Sequence, residues 1–332
     1  MTKDTITLIL APLQGFTDLT FRTVYADHFS GIDLAVAPFI STMGEQRLKP
    51  SRIKDVDPEK NKNLFVIPQI LSNVAKDFIF LADHLNAMGH NQVNWNLGCP
   101  HSKIAKKQRG SGLLLYPEKI DALLSEIIPE MAPSLSVKIR LGRRNKDEIH
   151  ELLAVFNRHS IDEIILHPRT GEQMYTGRSD LDAFERASQS TQHPLTYNGD
   201  IVDLASYTHV QKKFPNINRI MIGRGILSNP FLGEEIKNIH PTPQDPSQRL
   251  ARLRAFHDDL FAAYGKIFSG PAHLTGRMKG VWSYLGPSFE NSKKPLKKIV
   301  KARSVPAYEE RVNAFFDLNL RFNPGRHKAG TN

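Results

Sequence analysis

One cysteine, Cys99, stands alone in 332 residues. A lone thiol excludes a disulfide framework within the chain and fits a reducing compartment. No run of about 18 apolar residues occurs, and residues 1–30 carry Asp4, Asp18 and Asp27 with no long apolar core. Neither a signal peptide nor a membrane span is therefore expected, and the chain reads as a soluble cytoplasmic protein. Acid is scarce toward the C-terminus. From residue 241 onward there are 16 Lys and Arg against 7 Asp and Glu, a net of +9, whereas the first 240 residues hold 28 against 27. Such a tail suggests a polyanionic partner, with a merely solubilising basic surface as the alternative.

What the chain does have is a recurring pattern. Short apolar runs at 8–11, 34–37, 65–70, 92–96, 137–141, 164–167, 195–197 and 219–222 predict eight strands. Segments such as 74–88, 118–130, 146–159 and 202–214 carry apolar residues at helical spacing. Alternating β and α units over roughly 240 residues predict a (β/α)8 TIM barrel in preference to an open doubly wound sheet. The proline-rich stretch 241–246 marks a linker, and helical patterns at 249–264, 273–285 and 306–320 predict a small helical domain. The expected division is 1–240 for the barrel and 241–332 for the helical tail, with fraying from Pro324.

In a barrel, function belongs at the C-terminal strand ends. There the chain places Pro12-Leu13-Gln14, Gln69, Asn96 with Cys99, Lys138 with Arg140, His167 with Arg169, Asn198-Gly199-Asp200 and Gly223-Arg224. Singly, each has an ordinary structural reading, as a satisfied buried amide, an ion-paired lysine or a core histidine. Gly98 and Pro100 fix an exposed turn around Cys99, which argues against a merely apolar thiol. The glycines after the last two strands allow backbone to approach a phosphate, and Arg224 adds charge. Lys138 suits the carbonyl edge of a flavin and Gln69 its imide edge, which makes FMN one candidate among phosphorylated ligands.

These residues resemble the tRNA-dihydrouridine synthases. The resemblance rests on 11–18 (APLQGFTD), Asn96-Leu97-Gly98-Cys99-Pro100 with Lys103 and Gly110-Ser111-Gly112, and Val137-Lys138-Ile139-Arg140. It continues through His167-Pro168-Arg169-Thr170, Asn198-Gly199-Asp200 and Ile222-Gly223-Arg224-Gly225. The pattern departs from the family at Leu13 (usually methionine), Pro168 (usually glycine) and Ala37-Pro38-Phe39.

The resemblance implies an FMN barrel followed by a helical tRNA-binding domain, with NADPH or NADH as reductant. It implies no metal, membrane or obligate protein partner. Flavin contacts would come from Pro12, Leu13, Gln14, Gln69, Lys138, His167, Asn198, Gly199, Asp200, Gly223 and Arg224. Cys99 matches the family's catalytic acid, delivering a proton to C5 of a D-loop uridine while the flavin delivers hydride to C6. Asn96, Lys103, Arg140, Arg169, Arg277 and Lys279 would meet substrate or tRNA. Arg277-Met278-Lys279 is similar to the C-type bacterial subgroup, which acts on position 16. Two other readings stay open: an FMN barrel oxidoreductase for a free pyrimidine, and a non-catalytic RNA-binding protein.

Overall fold

The computed structural model describes residues 6–239 and 245–324. Among them, ten parallel strands form one sheet: β1 Thr7–Leu10, β2 Leu34–Val36, β3 Ile40–Ser41, β4 Phe65–Ile67, β5 Gln69–Leu71, β6 Gln92–Leu97, β7 Ser134–Gly142, β8 Glu163–Thr170, β9 Leu195–Tyr197 and β10 Arg219–Ile222. The order is β3-β5-β6-β7-β8-β9-β10-β1-β2-β4. Its two ends meet, because β4 continues into β5 across Pro68, β2 pairs with β4 and β3 pairs with β5. The sheet is thus a closed eight-stave barrel with two staves interrupted. Proline has no N–H to give a ladder, which accounts for the break at Pro68. The register shift between Arg140 and Gly142 opposite β8 likewise coincides with Pro168.

Period-two alternation explains both the apolar look of these strands and the polar residues within them. Val93, Trp95 and Leu97 of β6 and Leu135, Val137, Ile139 and Leu141 of β7 face outward into the core under the helices. The alternating inward positions divide the lumen. A small apolar plug of Ile9, Val36, Ile67, Ile165 and Met221 fills part of it. Asn94, Asn96, Ser136, Lys138, Arg140, His167 and Arg169 alternate with the outward set and supply the polar remainder.

The expected strands and helices are all present, with shifted ends. The helix expected over 146–159 spans only Glu148–Phe156, because the Glu148 carboxylate accepts from the N–H groups of Arg143 (2.6 Å), Arg144 (3.2 Å) and Asn145 (2.9 Å) and holds that stretch as a loop. Beyond the barrel, helices span Pro246–Gly265, Pro271–Leu285, Lys293–Val300 and Val305–Asp317. The lysine-rich third was not expected, since Pro295 and four lysines conceal its pattern. Most of the expected linker and of the frayed end lies outside the described residues.

The tail packs tightly on the barrel. Phe256 meets the rings of Phe21 and Phe29 edge-on at 6.0 and 5.2 Å. Arg252 donates to the carbonyl of His28 and to buried Glu234. Within the tail, the Tyr308 hydroxyl receives the Trp282 indole N–H at 2.9 Å and meets His257 Nε2 at 2.7 Å. Removal of the tail would strip Phe256 from the rings of Phe21 and Phe29.

Arg22, only 1% exposed, ties the loop after β1 to the segment 54–61. Its guanidinium donates to the Thr17 carbonyl (2.7 Å), Asp55 Oδ2 (3.1 Å) and Asn61 Oδ1 (3.0 Å). Replacing one member of such a buried set leaves its partners unpaired, so Arg22→Leu should cost about 3 kcal/mol. The urea midpoint measures this, and an unchanged midpoint would contradict it.

Candidate active site

A cavity of about 300 Å³ opens at the C-terminal ends of the strands. Pro12, Leu13 and Gln14 follow β1; Asn96 and Cys99 come from β6 and its turn; Lys138 and Arg140 from β7; His167 from β8; Asn198 and Gly199 from β9; Gly223 and Arg224 from β10. Twelve of the residues picked from sequence therefore meet in one place. Among the described residues the cavity lining includes Lys138, Arg140, Arg224 and His167, and no aspartate or glutamate. An apolar-and-cationic chamber of this size suits an anionic, partly planar ligand.

Burial, and then the neighbouring Arg140, push the Lys138 amine down to about 7. Burial also lowers the Arg140 guanidinium to about 10. Arg140 has carbonyl partners, at Gly98 (3.0 Å), Thr170 (2.8 Å) and Met174 (2.6 Å). Arg224 donates to Asp200 Oδ1 at 3.0 Å from behind the wall. His167 is held far below its ordinary pKa by burial and then by Arg140, Lys138, Arg169 and Arg224. Because Arg169 Nη1 donates to His167 Nε2 at 3.0 Å, the neutral ring carries its proton on Nδ1.

Cys99 sits on a turn fixed from both sides. Its N–H donates to Asn96 Oδ1 at 2.9 Å, and its carbonyl accepts from the Ser111 N–H (3.0 Å) and hydroxyl (2.9 Å). This explains the Gly110-Ser111-Gly112 motif. Gly110 has φ +56°, and a Cβ there would lie 2.8 Å from the Cys99 carbonyl oxygen. Gly112 lies so close to the Ala105 backbone that no side chain fits. Burial raises the thiol's pKa against the opposing pull of the His101 N–H, Arg140 and Lys138. The thiol therefore stays protonated near neutral pH.

Five assignments change. Gln69 is fully buried and spends its amide on Asn94 and Asn96 (both 2.7 Å), beneath the cavity and not on its wall. Asp200 likewise stands behind the wall, accepting from Arg169 Nη2 (2.5 Å), Arg224 Nη2 (3.0 Å) and the Ser179 N–H (3.0 Å). Arg169 has no exposed surface and is occupied by Asp200, Thr176, Gly177 and His167, so it has no face for tRNA. In the tail, Arg277 binds the Gly15 carbonyl and Asp18 (3.0 Å), and Lys279 binds the Ala302 carbonyl. Both serve docking within the protein. Lys103 is exposed, as are Lys106 and Lys107 beside it.

Four aromatic residues of the cavity, Phe16, Phe39, Tyr175 and Tyr284, were given no site role by the sequence reading. Tyr175 lies against the guanidinium carbons of Arg140 (5.4 Å) and Arg224 (4.9 Å). Tyr284, from the tail helix Pro271–Leu285, meets Phe16 edge-on at 5.1 Å. Nothing local marks a residue some 60 positions past the last strand as part of a barrel mouth. Also missed was the exposed cationic run Lys293, Lys294, Lys297, Lys298, Lys301 and Arg303.

The residues present fit a flavin nucleotide. Apolar Ala11, Leu13 and Phe39 share the cavity with the Lys138 ammonium and, across it, with Arg224 beside Gly199 and Gly223. A profile of the family described as Dihydrouridine synthase (Dus) matches residues 9–272. The chain is 30% identical over 277 residues, 79% of this chain and 83% of the other, to a Yersinia pestis protein named tRNA-dihydrouridine synthase B. It is 31% identical over 270 residues, 78% of each, to a Staphylococcus epidermidis protein named probable tRNA-dihydrouridine synthase. The Yersinia relative carries the B designation, not the C-type one that the tail motif resembles. In fold, the chain superposes on the old yellow enzyme homologue of Zymomonas mobilis with a TM-score of 0.52 over 70% of this chain and 89% of that one, at 12% identity. Barrel, cationic chamber, cysteine turn and family profile agree, and the chain belongs to the dihydrouridine synthase family.

Proposed function

We propose that this protein reduces the C5=C6 bond of a uridine in tRNA to 5,6-dihydrouridine, with FMN as cofactor and NADPH or NADH as reductant. The observation that carries this is the Cys99 thiol on its turn at the strand ends, lining a cationic cavity that among the described residues has no carboxylate in its wall. Lys138, Arg224, His167, Asn198 and the Pro12-Leu13-Gln14 segment would hold the flavin, which when bound supplies the hydride for C6 of the base. Cys99 then gives its Sγ proton to C5, a role that needs a thiol and not a thiolate. Asn96 and Arg140 line the same cavity and orient the pyrimidine. A uridine in folded RNA must be extruded to reach them. Exposed Lys103, Lys106 and Lys107, with the run Lys293 to Arg303, offer charge to the RNA backbone.

Purified protein should show a flavin absorbance that NADPH bleaches, and tRNA from a deletion strain should lack one dihydrouridine. Turnover of free uracil at the rate of tRNA would point instead to a small-molecule oxidoreductase. Cys99→Ala should keep flavin and its reduction by NADPH yet lose about 100- to 10,000-fold in uridine reduction. Normal turnover in that variant would remove Cys99 from the reaction.

The depressed Lys138 gives a pH signature. Below about 7 the amine is charged before an anion arrives, whereas above that pH binding must take up a proton. FMN affinity should therefore fall as pH rises above 7, by at most about tenfold per pH unit, until the complex itself deprotonates. Lys138→Met should bind more weakly with a flatter profile. FMN titrations of the apoprotein at several pH values test this, and an unchanged slope in the variant would refute it.

Reversing charge at Lys297 and Lys298 in the full chain should weaken tRNA binding and reduce the log–log salt slope by about one per lost phosphate contact. Flavin content should stay normal. Wild-type affinity and slope in the double variant would exclude that helix from the interface.

A further inference from the structure

Below the cavity the inward side chains of three neighbouring staves form a continuous hydrogen-bonded file. Strand register sets Gln69 opposite Asn94, and Asn94 opposite Ser136. The Asn94 amide donates from Nδ2 to Ser136 Oγ at 2.9 Å and accepts at Oδ1 from Gln69 Nε2 at 2.7 Å. Gln69 Oε1 accepts in turn from Asn96 Nδ2 at 2.7 Å. Asn96 is thereby left with its Oδ1 toward the turn, where it takes the N–H of Cys99 at 2.9 Å and of Gly98 at 3.2 Å.

The direction of this file is determined at its far end. Ser136 has a single hydroxyl proton, which it donates to the Val93 carbonyl at 3.3 Å, so it meets Asn94 as an acceptor. Asn94 must then present its NH2 to Ser136 and its oxygen to Gln69, and each later amide follows. Reversing Asn96 would set an NH2 group against the Cys99 N–H. Asn94 and Ser136 are 0% and 1% exposed and do not line the cavity, so they touch neither cofactor nor substrate.

We propose that Asn94 and Ser136 are positioning residues that set the Cys99 turn through Gln69 and Asn96. This rests on the reading of Cys99 as the proton donor. A thiol that must reach one carbon of a bound base tolerates little displacement, and misplacement by an ångström can cost on the order of a hundredfold in rate. The Cys99 carbonyl is anchored by Ser111, but among the described hydrogen bonds its N–H has Asn96 alone.

The test uses the flavin-loaded enzyme with Ser136→Ala, Ser136→Thr, Cys99→Ala and the double variant Ser136→Ala/Cys99→Ala. Ser136→Ala removes the terminal acceptor and, with it, the hydroxyl donated to the Val93 carbonyl. It should retain flavin and normal reduction by NADPH while reoxidation of the reduced enzyme by tRNA slows on the order of tenfold. Ser136→Thr should restore that step, and the double variant should be no slower than Cys99→Ala, since both act through one group. Cys99 is the sole cysteine, so iodoacetamide labelling of the flavin-free protein reports on the turn without turnover, and should accelerate severalfold in Ser136→Ala.

Equal slowing of both half-reactions, additive loss in the double variant, or unchanged reoxidation and labelling would each overturn the proposal. If Cys99→Ala itself leaves reoxidation by tRNA intact, the proton-donor reading fails. Labelling then decides by itself whether the file holds the turn.

Discussion

Positive charge crowded into one small space is the constraint around which this site is organised. Lys138, Arg140, Arg169 and Arg224 converge on the barrel mouth, and the cavity itself holds no carboxylate to neutralise them. The strain is met behind the wall, where Asp200 accepts from both Arg169 and Arg224, and by backbone carbonyls around Arg140. What stays uncompensated faces the cavity. Burial first, and this crowding after it, keep His167 neutral and bring the Lys138 amine down to about 7. An anion in the cavity would relieve the repulsion, so the mutually repelling charges favour binding of one.

The thiol answers to a different balance. Neighbouring cations pull its pKa down, but burial outweighs them and the proton is kept. Its location depends on backbone groups more than on side-chain contacts. The turn is gripped through its N–H by Asn96 and through its carbonyl by Ser111, and the nearby glycines let two chain segments approach within contact distance. Gly110, Ser111 and Gly112 are thus conditions for the placement of the cysteine and stand outside the cavity lining.

The helical tail belongs to the site as much as to any RNA surface. Asp18 caps the helix Leu19–His28 by accepting from the Phe21 N–H at 3.0 Å, and also receives Arg277 and the Tyr264 hydroxyl from the tail. That network holds the loop after β1, from which Pro12, Leu13 and Gln14 line the cavity. Tyr284 completes the rim from the same tail helix. A division at about residue 240 describes the chain's topology, while the site and its support run across it.

Sequence by itself determined the alternation of strand and helix, hence the barrel, and the strand-end positions where polar groups would collect. Apolar periodicity and turn chemistry are local, and they were legible in Pro12 to Gln14, Cys99, Lys138, His167, Asn198 and Gly223-Arg224. Tertiary structure alone decided which polar side chains face the ligand and which are consumed by one another. Gln69, Asp200, Arg169, Arg277 and Lys279 carry suitable chemistry, but Gln69 is spent on Asn94 and Asn96, Asp200 on Arg169 and Arg224, Arg277 on Gly15 and Asp18, and Lys279 on Ala302, at separations no local pattern records. Tyr284 and the amide file beneath Cys99 arise from barrel closure and docking. The pairing of donor with acceptor across staves exists only once the chain has folded.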